Sequence, residues 1–192
     1  LIIIIRVMTI GKHLFSKHNK PAARNPLTAA LIKPLLGVLL LLNQHNSFSQ
    51  NEFEKYGPFG SEVATDLKLA LKSEKKIYKM DLSYQNLDAE SYNKIEKLTD
   101  LQALKLSTNG VSDYPKNFGA LFNLVYFASY NNALTQFPPD IKNFRNLHYL
   151  ELQNTKIDSI PAQIAYLNRL QSLKIGNTDD TLKLPTTLRY LQ

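Results

Sequence analysis

The sequence predicts an α/β solenoid rather than a compact globule, and three observations carry that prediction. The chain repeats itself every 23 residues: Leu101, Leu124, Leu147 and Leu170 each open a segment that reads L-x-x-[LF]-x-[LIS]-x-x-[NT]. A fixed period with leucine at set offsets marks stacked units that bury an apolar face only against their neighbours. Within each segment the fourth and sixth positions are apolar, the alternation of a short strand with one face inward. Residues that carry chemistry are scarce: the chain has no cysteine and 4 histidines, three of which (His13, His18, His45) precede the repeats. Binding is therefore the default expectation and catalysis the exception.

The first fifty residues read as an export leader. Arg6, Lys12, Lys17, Lys20, Arg24 and Lys33 make a basic stretch without one acidic residue. The apolar run Leu35-Leu36-Gly37-Val38-Leu39-Leu40-Leu41-Leu42 follows, and then a polar stretch from Asn43 to Gln50. This is the three-part plan of a secretory signal, with cleavage expected after Ser49 or Gln50. The competing reading is an uncleaved membrane anchor; the apolar run falls short of the roughly 20 residues a span needs. Met8 is a plausible start, which would leave Leu1–Val7 outside the translated protein. The leader also holds most of the formal net charge of +7: beyond it stand 17 basic side chains against 16 acidic ones. The near-neutral repeats give no electrostatic footprint for nucleic acid.

Residues 51–62 read as a linker, punctuated by Gly57-Pro58 and Gly60. A capping segment is expected at 63–76, built on a short amphipathic helix near 63–74. Thr65 suits the N-cap, Asp66 the positive end, and Leu67, Ala70 and Leu71 fall at helical spacing. Its role is to cover the open apolar end of the first repeat.

Repeats are expected over 77–192, about five of them and the start of another. Their starts are Ile77, Leu101, Leu124, Leu147 and Leu170. Position four holds Met80, Leu104, Phe127, Leu150 and Leu173; position six holds Leu82, Leu106, Ser129, Leu152 and Ile175. Position nine holds Gln85, Asn109, Asn132, Thr155 and Thr178, side chains that can satisfy backbone groups where the chain turns. Tyr114-Pro115, Phe137-Pro138 and Ile160-Pro161 then lead into Phe118, Ile141 and Ile164 and, three later, Leu121, Phe144 and Leu167. That second half returns the chain along the outer side as irregular or short helical structure.

These offsets resemble the leucine-rich repeat family in its 23-residue form, L-x-x-L-x-L-x-x-N-x-L-x-x-L-P-x-x-I-x-x-L-x-x. The lead-in Leu82-Ser83-Tyr84-Gln85-Asn86-Leu87 is similar to the opening repeat of exported bacterial members. The resemblance implies a right-handed arc with a parallel sheet on its concave side, an irregular or short-helical convex side, and binding of other macromolecules by the concave sheet. Three departures stand out. The first repeat has 24 residues, no Leu-Pro pair, and a helical look over 89–98. Ser129 replaces an inward leucine, an expected packing weakness. Register is lost after Leu170, and Leu188-x-x-Leu191 opens a new repeat that stops at Gln192. The chain is thus expected to be truncated there, or to leave an exposed edge.

Outward strand positions are three, five, seven and eight. With parallel neighbours about 4.8 Å apart, Asp81 faces Lys105 and Glu151 faces Lys174, as exposed ion pairs worth well under about 1 kcal/mol each. Tyr126, Tyr130 and Tyr149 cluster near the middle, and tyrosine is favoured at contact hot spots. The candidate partner-binding residues are Tyr84, Lys105, Tyr126, Tyr130, Tyr149, Glu151 and Lys174. No phosphate loop, nucleophile elbow or zinc-helix motif occurs. Asp179-Asp180 reads as a solvated turn rather than a calcium ligand set. No catalytic residue, metal site or cofactor is expected, and no nucleic-acid partner. The expected function is a secreted, periplasmic or cell-surface module that binds a protein, or with less support a glycan, and meets a membrane only through an uncleaved leader. The alternatives are the recognition arm of a larger enzyme or sensor continuing past Gln192 and, more weakly, a cytoplasmic scaffold.

Overall fold

The computed structural model describes residues 2–5 and 53–177. The chain divides into two compact units, Leu1–Met8 with Tyr56–Gln192, and Thr9–Lys55. Of the second unit residues 53–55 are described, a single helical turn. The expected leader apart from 2–5, the Asp179-Asp180 turn and the unfinished repeat at Leu188 lie outside the described residues.

The first unit is built on parallel strands. They are β1 (Ile2–Ile5), β2 (Val63–Ala64), β3 (Lys79–Asp81), β4 (Ala103–Lys105), β5 (Tyr126–Ala128), β6 (Tyr149–Thr155) and β7 (Ser172–Asn177). Strands β2 to β7 lie side by side in chain order, and β1 pairs with the far edge of β7, Ile2 opposite Ser172 and Ile5 opposite Ile175. The sheet does not close on itself. Its register follows the repeat. Lys79, Ala103, Tyr126, Tyr149 and Ser172 form one row across β3 to β7; Asp81, Lys105, Ala128, Glu151 and Lys174 form another. These are the third- and fifth-position rows that the alignment predicts.

The chain bends at position eight. Tyr84, Thr108, Asn131 and Asn154 all have left-handed backbone, with φ of 62°, 58°, 55° and 52°. In the first three repeats position eight is therefore a turn residue, not an outward strand position as expected, whereas Asn154 lies within β6 at its irregularity between Gln153 and Thr155. The turn still links repeats: the N–H groups of Tyr84, Thr108 and Asn131 donate to Ser107, Tyr130 and Gln153 carbonyls at 3.1, 2.9 and 3.0 Å. Asparagine adopts this conformation more readily than most residues, whereas Tyr84 and β-branched Thr108 hold it at some strain.

Inward, the two halves of each repeat meet in one core. Met80, Leu82, Leu104, Leu106, Leu150 and Leu152 are fully buried from the strands, and Phe118, Leu121, Ile164 and Leu167 from the returning segments. Each such side chain contributes about 1.5–3 kcal/mol by leaving water. The returning segments form tight 3₁₀ turns at Phe118–Ala120, Ile141–Asn143 and Ala162–Tyr166, just after the prolines. Tyr114, Phe118, Phe127 and Phe144 make an aromatic spine with ring centroids 5.1 to 6.3 Å apart. The first repeat differs as expected: α2 (Ala89–Asn93), capped by Asp88, runs into a 3₁₀ turn at Lys94–Lys97.

The cap is shorter than expected and begins as sheet. Val63 and Ala64 pair with Lys79 and Met80, and the helix, α1, covers only Leu67–Lys72. Its N-cap is Asp66, not Thr65: the Asp66 carboxylate accepts from the Leu69 N–H at 2.9 Å. The Thr65 carbonyl instead accepts from the Gln85 amide at 2.6 Å. Leu67 and Ala70 close the end of the core, and a two-residue edge strand offers little for another chain to pair with.

Candidate functional site

The ninth-position residues hold the site's scaffold in place. The Asn109 side chain makes four hydrogen bonds at 2.9 Å: it accepts from the Gln85 and Asn86 N–H groups and donates to the Leu82 and Leu106 carbonyls. Asn132 accepts from the Asn109 N–H and donates to the Leu106 carbonyl and to the Ser129 hydroxyl, each at 2.9 Å. Ser129 is therefore not the packing weakness expected. It is fully buried, and it supplies the acceptor that completes Asn132. At Thr155 the ladder dwindles to one donated bond, to the Leu152 carbonyl at 3.1 Å.

On the outward face the predicted residues separate into two groups. Tyr126 and Tyr149 are neighbours in one row, with ring centroids 6.3 Å apart. Tyr126 is fully buried and Tyr149 half-buried, against the expectation that both are exposed. Tyr56, from the expected linker, then places its ring 6.1 Å from that of Tyr149. Glu151 and Lys174 pair at 2.9 Å in the next row, but with side chains only 5% and 10% exposed, so this is a buried ion pair and not the solvated one expected. Burial excludes water from both charges and makes each depend on the other.

The second group is accessible. Tyr84 is 73% exposed and Tyr130 half-buried, above Asp81 and Lys105, which stand 4.0 Å apart. Partial burial pushes the Tyr130 phenol up from its ordinary pKa, and the nearby Tyr84 and Glu151 charges add to the shift. Beside them runs a row the sequence reading did not single out. The Asn154 amide donates to Asn131 Oδ1 at 2.7 Å, and Asn131 reaches Thr108 Oγ1 at 3.4 Å. The recurrence of asparagine at position eight was its signal. Among the described residues no group of three or more His, Cys, Asp or Glu side chains could hold a metal ion. No helix among them is long and apolar enough to cross a membrane.

Short parallel strands, one per repeat, held by an asparagine ladder and backed by returning 3₁₀ turns, define a repeat solenoid with a side-chain-rich outward sheet. The chain is a leucine-rich repeat protein. No protein-family model and no curated protein matches its sequence. Among solved structures it is similar to a leucine-rich repeat protein of Leptospira interrogans, with 29% identity and a TM-score of 0.55 over 68% of this chain. An internalin (inlF) of Listeria monocytogenes is a more remote likeness, 21% identical with a TM-score of 0.44 over 60% of this chain. The chain spans 38% of the length of each.

Proposed function

We propose that this chain is a non-catalytic, exported module that binds a protein partner through the concave face of its sheet. The observation that carries the reading is the accessible part of that face. Tyr84 and Tyr130 offer amphipathic contact area beside the Asp81–Lys105 pair and the Thr108–Asn131–Asn154 row. These groups can accept and donate hydrogen bonds along several repeats at once, which suits an extended protein surface. Export rests on the basic and apolar leader of residues 1–50. A glycan could stack on the same tyrosines, yet no observation favours it over protein.

The test is photocrosslinking on the intact chain. A photoreactive residue replaces Tyr84, Asn131 or Asn154 on the sheet side, or Gln136 or Gln163 on the returning side. The expected result is protein adducts from the first set in the source organism's envelope or culture medium, and none above background from the second. Adducts from the returning side alone would overturn the reading.

A further inference from the structure

The expected linker is an ordered strap on the outward sheet face. Tyr56 packs its ring against Tyr149, which packs against Tyr126. The next residue crosses towards the first repeats: the Gly57 N–H donates to Gln102 Oε1 at 3.0 Å. Gly57 has φ +91°, and a Cβ there would come within 3.0 Å of Tyr78 Cβ and 3.2 Å of Ser61 Oγ. Both the backbone conformation and the close approach require glycine. Pro58 to Ser61 then turn tightly. The Ser61 N–H and hydroxyl donate to the Pro58 carbonyl at 3.0 and 2.6 Å, and Gly60 takes the left-handed position at φ +79°. The turn holds Phe59 wholly in solvent, at 110% relative exposure. The strap is thus tied down by its aromatic ring and its glycine, and not by its second aromatic.

We infer that the surface formed by Tyr126, Tyr149, Tyr78 and Gln102 is a binding site for a turn-forming peptide in which an aromatic residue precedes a glycine, and that residues 56–61 are its intramolecular occupant. The inference deepens the concave-face reading and rests on it. A partner that uses the tyrosine pair presents the same pattern and displaces the strap. Because the strap is covalently attached, its effective concentration is high, and it weakens any external ligand by competition. The accessible Tyr84 and Tyr130 end stays open for first contact.

The test uses the full chain and a fluorescein-labelled peptide of residues 53–62. In chain carrying Tyr56→Ala with Gly57→Val, the strap no longer fits and the peptide binds, read by anisotropy. Wild-type chain binds it at least about tenfold more weakly. Peptides carrying Tyr56→Ala or Gly57→Val lose about tenfold in affinity, and the Phe59→Ala peptide loses nothing. No binding by the strapless chain, or equal binding of all four peptides, overturns the proposal. Circular dichroism checks that the double variant folds. If it does not, nitration of Tyr149 by tetranitromethane in the Tyr56→Ala chain replaces it: faster nitration than in wild type supports the strap, and an equal rate sinks it. Peptide binding lost while sheet-side crosslinks persist removes the strap and leaves the protein-binding reading; the reverse pattern removes that reading and leaves the strap.

Discussion

In repeats two and three the ninth residue is asparagine; in repeat four it is Thr155. Asn109 completes four hydrogen bonds and Asn132 three, between them satisfying the backbone where three successive repeats turn. A hydroxyl has one proton to give, and Thr155 spends it inside its own repeat. The backbone responds. Strand β5 ends after three residues, whereas β6 runs for seven and stays paired with β7 to Thr155 and Asn177, across an irregularity between Gln153 and Thr155. Backbone bonds between repeats nevertheless continue past the end of β5, where the Ser129 and Asn131 N–H groups donate to the Glu151 and Gln153 carbonyls at 2.9 and 3.0 Å. The asparagine ladder thus adds to the sheet pairing, and together they meet one demand, that buried backbone polar groups find partners.

Breaking the ladder at its fullest rung should have the largest effect. Asn109→Leu removes four hydrogen bonds and strands buried N–H and carbonyl groups, for a loss of about 4 kcal/mol in urea unfolding. A loss below about 1 kcal/mol would show that the amide does not carry these turns. The buried ion pair of repeats four and five comes next. Glu151→Ala leaves Lys174 buried without its carboxylate and costs about 3 kcal/mol. Replacing both, with Glu151→Leu and Lys174→Met, recovers most of that loss, while Asp81→Ala at the more exposed pair costs under about 0.5 kcal/mol. Equal losses at the two pairs would mean that burial does not distinguish them. Thr155→Val tests the weak rung: it forfeits the bond donated to the Leu152 carbonyl and the long 3.5 Å bond accepted from the Ile157 N–H, for a loss of about 1 kcal/mol. A loss equal to that of Asn109→Leu would refute the contrast between the repeats.

The register of the whole sheet was legible because a parallel stack repeats the same offset at every strand, so aligning Leu101, Leu124 and Leu147 aligns everything between them. The amide role at position nine followed from the same logic. What could not be read was anything set by contact between distant segments or by backbone angle. Nothing in the letters of Tyr84 or Thr108 marks a left-handed turn, and only Asn131 and Asn154 hint at it. Ser129 reads as a defect in an apolar row, because the sequence does not show that its hydroxyl meets the Asn132 amide three residues on. Glu151 and Lys174 were correctly opposed, but their burial depends on what lies around them. Gly57 was recognised as punctuation; its close approach to Tyr78 and the stacking of Tyr56 on Tyr149 join residues far apart in sequence, where no period applies.

One predicted effect, from the returning side of the early repeats, has the opposite sign. The Tyr92 and Tyr114 hydroxyls are buried and, among the described residues, have no hydrogen-bond partner. Burial pushes both phenols well above the ordinary value of 10.0, with Asp113 adding to the shift at Tyr92 and Tyr92 to that at Tyr114. An unpaired buried hydroxyl costs stability, so Tyr114→Phe should stabilise the chain by about 1 kcal/mol near pH 8 while keeping the ring against Phe118 and Phe127. The same burial gives a pH dependence. The folded chain holds these protons more tightly than the unfolded chain, so the favourable balance is complete below about pH 10 and is lost as pH rises towards the folded values. Each phenol then contributes a slope of about 1.4 kcal/mol per pH unit. Urea midpoints from pH 8 to 11 measure it: Tyr114→Phe should flatten the alkaline fall by about one such share. Parallel curves for variant and wild type would show that the Tyr114 hydroxyl is satisfied in solution and that its burial does not set the alkaline fall.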